Sequence, residues 1–164
     1  SYQPVWAVLL AFETGAIAGV DTLHFDEGPL GWAANNGSKP GRASRTWVLH
    51  ATPGWSETHL NDEPGRVALA LAKEFCISCG LDYAGIGYMV AHLWLYARVI
   101  NPLDTGALWD PEAGLGLCGD WCLGDGIEHA FLSGRAVASR ILGHLADATA
   151  HKPADGLPPP RRGY

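Results

Sequence analysis

The seven residues His92-Leu93-Trp94-Leu95-Tyr96-Ala97-Arg98 alternate between polar or aromatic side chains and plain aliphatic ones. A period of two belongs to an extended strand, which turns successive side chains to opposite sides. One side then carries His92, Trp94, Tyr96 and Arg98, and the other Leu93, Leu95 and Ala97. Such a strand belongs in a sheet with two unlike faces, one aliphatic and one aromatic and polar. The second face is either half-solvated or the floor of a pocket for a flat ligand, since aromatic faces stack and a histidine hydrogen-bonds.

The rest of the chain supplies partners for that strand. Val5 to Phe12 is an apolar run that reads as a buried strand, and Thr46 to Ala51 is β-branched and aromatic at its centre. Gly31 to Arg42 reads as a short strand entering a turn made by Asn36-Gly37 and Pro40-Gly41. Ser56 to Leu60 suggests one turn of helix. Pro64 opens a longer helix that closes near Gly80. Val90 to Val99 is the longest expected strand, residues 107–109 and 115–118 form short strands around a turn, and Gly126 to about Leu145 is the last helix. Ile127, Ala130, Phe131, Gly134, Val137, Ala138, Ile141 and Leu145 fall at helical spacing within it. With no regular βαβ alternation and no internal repeat, the class is α+β: a mostly antiparallel sheet with helices on it.

Composition narrows the function classes. A length of 164 residues suits one domain of ordinary size, and 48% hydrophobic against 17% charged residues excludes a disordered chain. A net charge of −6 argues against nucleic acid, which needs a basic patch. The basic cluster Lys152, Arg161 and Arg162 lies in a Pro-rich tail, residues 149–164, expected to be stiff and extended. No apolar run approaches the length of a membrane span and no leader is evident, so a cytoplasmic location is expected. The sequence opens on Ser1 rather than Met, which suggests processing or a cut from a longer chain.

Two motifs are weaker than they look. Gly114-Leu115-Gly116-Leu117-Cys118-Gly119 matches G-x-G-x-x-G, yet its glycines fall within and before a short strand, and the helix opens only at Gly126. They read as turn residues. Cys76-x-x-Cys79 and Cys118-x-x-x-Cys122 have spacings that a zinc site could use, but the first pair sits at a helix end. Reduced, partly buried thiols and no metal are the expectation.

The segment Gly119-Asp120-Trp121-Cys122-Leu123, then Ile127-Glu128-His129-Ala130-Phe131-Leu132-Ser133-Gly134, is a strand end, a glycine-bearing turn and a helix start. Free N–H groups at such a helix start can meet a negative or carbonyl oxygen. The alternative is a tight helix–sheet contact with Asp120 as a turn acceptor.

Cys118 to Leu123 with Ile127 to Gly134 resembles the closing FAD motif of the renalase-like branch of the flavin amine oxidase superfamily. Trp32 to Arg42, Trp47 to Ala51 and His92 to Ala97 resemble the same proteins, in the family's order, so the likeness covers about Val5 to Leu145. The resemblance implies the substrate-domain portion of a two-domain flavoprotein of the glutathione-reductase-like type. Residues 1–105 would be the substrate-binding sheet and helix, and 106–148 the strand and helix returning to the FAD domain. The family's N-terminal dinucleotide-binding unit is absent from this sequence, leaving that missing half, or self-association, as the expected partner. Asp120 would lie near the pyrophosphate and ribityl chain, and the Ile127 amide would face the flavin edge and stabilise the reduced ring. Gly119, Trp121, Gly126 and Glu128 complete the implied cofactor set.

Family members are flavin oxidoreductases, and renalase oxidises isomers of reduced nicotinamide dinucleotides. The flavin takes the hydride, so no particular protein acid, base or nucleophile is assigned. The substrate is expected to be a small planar molecule or a reduced dinucleotide, held by His92, Trp94 and Tyr96, with Asn35 a further candidate. The family often has Gly where His129 stands, and an imidazole there would crowd or hydrogen-bond the flavin edge. The family also has a polar residue at the position of Leu93, which points away from the presumed flavin face. The alternative reading is a non-catalytic domain derived from a flavoprotein that binds a planar ligand or a partner chain.

Overall fold

The computed structural model describes residues 1–14, 17, 19–42 and 45–150. Its contacts divide the chain into two compact units, residues 1–100 and residues from 101 onward.

The first unit is a five-stranded antiparallel sheet in the order β2-β3-β4-β1-β5. The strands are β1 (Tyr2–Phe12), β2 (Thr22–His24), β3 (Leu30–Asn35), β4 (Thr46–Ala51) and β5 (Ile86–Val99). The mostly antiparallel sheet with helices is thus observed. β4 has the bounds its β-branched and aromatic run implies, whereas β5 starts four residues earlier than Val90. The three-residue β2 has too little alternation to be read from sequence.

Between β4 and β5 come a short helix, α1 (Pro53–Thr58), and the longer α2 (Pro64–Cys79). Pro64 opens α2, where its missing N–H costs nothing, and Gly80 ends it in the left-handed region at φ 64°. The buried side of α2 is Val67, Ala68, Leu71, Ala72, Phe75 and Cys76. These pack into one core with Trp6, Val8, Leu10, Phe12, Trp47, Leu49 and Ala33 from the sheet. Full burial of the valine, leucine and phenylalanine side chains among these contributes roughly 1.5–3 kcal/mol each.

β1 is an interior strand, paired with β4 and β5, yet it contains Pro4, which cannot donate to the ladder. The strand accommodates it at a register shift between Gln3 and Val5 against β5. On the core side, the Trp6 N–H donates to Ser56 Oγ at 3.0 Å and Ser56 Oγ donates to the Thr52 carbonyl at 2.9 Å. This places a fully buried hydroxyl between β1 and α1.

The second unit contains the hairpin β6 (Leu108–Asp110) and β7 (Leu115–Leu117), a 3₁₀ turn at Asp120–Cys122 and the helix α3 (Ile127–Ala150). The Leu103 N–H donates to the Trp121 carbonyl and the Thr105 N–H to that of Cys122, each at 3.0 Å. Leu103 and Thr105 are therefore tied to this unit, which begins at Asn101. Ala146 to Ala150 offers no glycine or proline to stop the helix, so α3 outruns Leu145 and takes residues 149 and 150 from the expected tail. Residues 151–164, which hold the rest of that tail, lie outside the described residues. Among the described residues, no helix is long and apolar enough to cross a membrane.

Candidate functional site

The sheet of the first unit is asymmetric. One face is packed into the core with α2. On the other face Leu9 is 49% exposed although β1 is paired on both sides.

The register fixes what stands on that open face. One row running across all five strands is His24, Trp32, His50, Ala7 and His92. The next row contains Thr22, Ala34, Val48, Leu9 and Val90, and Val5 pairs with Trp94 on the other side. Neighbouring strands lie about 4.8 Å apart, so His50 and His92 stand roughly 10 Å from each other across the small side chain of Ala7. The Trp32 and His50 rings are 5.0 Å apart, and His92 meets Trp94 edge-on at 4.5 Å.

A cavity of about 310 Å³ opens here, lined by Val5, His50, Trp94, Tyr96, Ala97 and Arg98. That is at the small end of the range for ligand pockets. Its aromatic walls are accessible, with Trp94 57% and Tyr96 78% exposed. Burial pushes the His50 imidazole below its ordinary value of 6.5, which keeps it neutral near pH 7.

The structure brings together His92, Trp94 and Tyr96, as the alternation implies, and adds His50 and Trp32. The Tyr96 ring also stands edge-on to Tyr2 at 5.8 Å. His50 had a readable signal, because Trp47 and Leu49 alternate with Val48 and His50 in β4. Asn35 does not join the group. It pairs with Trp47 on the core side, its side chain accepts the Gly37 N–H at 2.9 Å, and it donates to the Val20 carbonyl at 3.1 Å. Leu95 departs from its expected place too. The shift beside Pro4 takes it out of simple alternation and leaves it 53% exposed, while Leu93 packs on the core.

In the second unit, Gly119 to Ile127 forms a tight corner before α3. An added Cβ on Gly119 would lie 2.3 Å from the Trp121 indole nitrogen, so the ring position requires glycine there. The Asp120 carboxylate accepts the Trp121 N–H at 2.8 Å, and its carbonyl accepts the N–H groups of Leu123 and Gly124. Ser133 is completely buried; its hydroxyl accepts the Gly119 N–H at 3.1 Å and donates to the Gly106 carbonyl at 2.6 Å.

Gly126 has φ 112° with open space beside it, and Ile127 is 91% exposed. The first backbone bond of α3 runs from Ala130 to Gly126, so the amides of Ile127, Glu128 and His129 precede it. His129 does not project outward from this start. Its ring lies against Gly124, and Nδ1 bonds the Asp125 carbonyl at 2.8 Å.

This donor set suits the uncharged parts of FAD. Amides at an open helix start match a ring carbonyl, and the Asp120 carboxylate matches ribityl hydroxyls.

The other motifs settle into structural positions. Gly114 occupies the β6–β7 turn at φ 66°, and an added Cβ on Gly116 would lie 2.6 Å from Val137 on α3. These glycines shape a hairpin and its contact with α3, and no phosphate-cradling loop opens a helix there. The four cysteines are free thiols, with Cys76 and Cys122 buried, Cys79 half-buried and Cys118 exposed. Burial raises the Cys76 thiol, with a smaller contribution from the Asp82 carboxylate, and burial then Cys76 raise Cys79. Among the described residues, no group of three or more His, Cys, Asp or Glu side chains could hold a metal ion. No known protein-family model matches the chain.

Proposed function

We propose that this chain supplies the substrate-facing sheet and the closing strand–helix segment of an FAD-dependent oxidoreductase of the renalase-like, amine-oxidase type. The reaction is hydride transfer from a small planar or dinucleotide substrate to the flavin. The observation that carries the reading is the two-faced sheet, sealed by α2 on one side and lined by Trp32, His50, His92, Trp94 and Tyr96 on the other. A face of aromatic and imidazole side chains left open on a central sheet suits a planar ligand.

Bound FAD would supply the hydride acceptor. This chain's residues would do the rest: Trp94 and Tyr96 bound the substrate ring, and His50 and His92 meet its polar edge. The Ile127 amide and the Asp120 carboxylate would hold the cofactor's flavin and ribityl parts, with Gly119, Trp121, Gly126 and Glu128 shaping the corner between them. Positioning of this kind is most of what a protein adds when a cofactor carries the chemistry. The contacts to the ADP half would come from a dinucleotide-binding unit outside this sequence. Four free thiols suit a cytoplasmic location, where cysteines stay reduced.

The test is the flavin content and reactivity of the protein expressed from its whole gene. One FAD per chain, bleached anaerobically by a reduced dinucleotide, is the expected result. A colourless protein that gains no flavin on incubation with FAD would overturn the reading and favour a non-catalytic ligand-binding domain.

A further inference from the structure

We propose that the outer edge of β5 pairs antiparallel with the same edge of a second copy, about a two-fold axis at Ala91, joining the two sheets into one. The pairing uses the first unit alone and stands whether or not the chain works with flavin.

The backbone directions locate the free groups. The Phe12 N–H donates to the Arg45 carbonyl and the Glu13 N–H to the Gly85 carbonyl, each at 2.9 Å. Even-numbered residues of β1 therefore turn their backbone groups to β4, and odd-numbered ones to β5. Ala11, Leu9, Ala7 and Val5 share hydrogen bonds with their register partners Tyr88, Val90, His92 and Trp94. Met89, Ala91 and Leu93 turn their N–H and carbonyl groups the other way, where, among the described residues, the sheet has no further strand.

Edge strands usually carry charges, a proline or a bulge that keeps other strands away. From Ile86 to Ala97 there is no Asp, Glu, Lys, Arg or Pro. The register shifts of β5 fall outside Tyr88 to Trp94, so the residues between are a regular ladder with an unguarded outer side.

The same stretch fits a copy of itself. Its middle residue is Ala91, one of those facing outward, so a two-fold axis there sets free N–H groups against free carbonyls. Ala91 then meets Ala91, and Met89 meets Leu93. On the open face Tyr88 stands against Trp94 and Val90 against His92, and cross-strand pairs of aromatic and β-branched side chains stabilise a sheet. On the α2 side a groove of about 140 Å³, lined by Pro64, Gly65 and Ala68 beside Met89, leaves room for Leu93 of the second copy. Charge agrees with this choice. Each copy carries a net charge of −6, and this uncharged strip lets two copies meet without opposing carboxylates.

Sedimentation velocity on the Phe131→Glu chain tests the edge with the α3 stripe removed as a rival surface. That chain should still dimerise as its concentration rises. Adding Val90→Lys, at a position 40% exposed, should weaken the dimer about tenfold or more, and Val90→Thr should keep it. The register has its own readout. In a Cys118→Ser background, Val90→Cys and His92→Cys chains mixed in a glutathione buffer should form the mixed disulfide in preference to either self-linked pair, because residues opposed in this way have Cα atoms about 4.5 Å apart. Thermal melts check that each variant keeps its fold, and the disulfide pattern decides if Val90→Lys does not. A Phe131→Glu chain that stays monomeric leaves the edge to a strand of another polypeptide and overturns the proposal. A dimer indifferent to Val90→Lys, or self-linked disulfides as abundant as mixed ones, puts the contact elsewhere and overturns it as well.

Discussion

The Ser133 hydroxyl accepts the Gly119 N–H at 3.1 Å and donates to the Gly106 carbonyl, so one buried oxygen ties α3 to the corner that carries Asp120. Among the described residues, neither backbone group has another hydrogen-bond partner. Replacing Ser133 by Ala leaves a donor and an acceptor unsatisfied, each at a cost of about 1–3 kcal/mol when buried. Urea or thermal unfolding of Ser133→Ala should therefore show a clear destabilisation, larger than that of Ser139→Ala on the exposed side of the same helix. Equal stability of the two variants would show that water replaces the hydroxyl.

What the sequence discloses depends on whether a feature is local. β4 and α2 are legible because their signals are contained in their own residues: alternation in the first, Pro64 and Gly80 around an apolar stripe in the second. Leu95 misleads because its place depends on Pro4 in a different strand, and no pattern in β5 records that shift. Asn35 misleads because a buried polar residue next to Asn36-Gly37 looks free until its amide is seen closing the turn. α3 shows a third kind of miss. Ile127, Phe131 and Leu145 repeat at helical spacing, yet they are exposed, and among the helix's described residues the fully buried one is Ser133. Spacing identifies an apolar stripe without saying what covers it.

That stripe has a consequence for the chain alone. In the proposed enzyme a dinucleotide-binding unit would cover it, and for residues 1–164 by themselves a second copy is the expected cover. Sedimentation velocity should show concentration-dependent self-association and little retained FAD, because contacts to the ADP half are missing. Phe131→Glu should reduce the association without lowering the melting temperature, since the side chain is 64% exposed. A yellow monomer with one FAD per chain at all concentrations would refute this expectation.

Stability should fall at both ends of the pH range. His50 is lowered by burial, so its contribution is complete above the ordinary value of 6.5 and is lost as pH falls through the lower folded value. Cys76 and Cys79 are raised, chiefly by burial, so their contribution is complete below the ordinary value of 9.0 and is lost as pH rises through the higher folded values. Urea midpoints from pH 5 to 10 should trace a plateau with two falling limbs. His50→Phe should flatten the acid limb only, and Cys76→Ala with Cys79→Ala the alkaline one. An acid limb unchanged in His50→Phe would assign it to other groups.

The two faces of β5 give the sharpest separation between stability and function. Trp94 and Tyr96 line the cavity, Leu93 packs on the core, and Leu95 lies half in solvent beyond the register shift. Trp94→Ala and Tyr96→Ala should slow substrate-dependent flavin reduction in the whole enzyme by about tenfold or more, the effect of losing 1–3 kcal/mol of stacking or hydrogen bonding. Their FAD content should not change, because the residues proposed to hold the cofactor are in the Asp120 corner, at the α3 start and in the dinucleotide-binding unit. Leu93→Ala should do the reverse, lowering stability by about 2 kcal/mol for a partly buried leucine with little effect on reduction by bound substrate. Leu95→Ala should cost well under that, since so much of its side chain is already in water. Stopped-flow bleaching with reduced dinucleotides, run beside thermal melts, reads both quantities for all four variants. If Leu95→Ala unfolds the protein while Leu93→Ala does not, the register of β5 against β1 is wrong, and with it the placing of Trp94 on the open face.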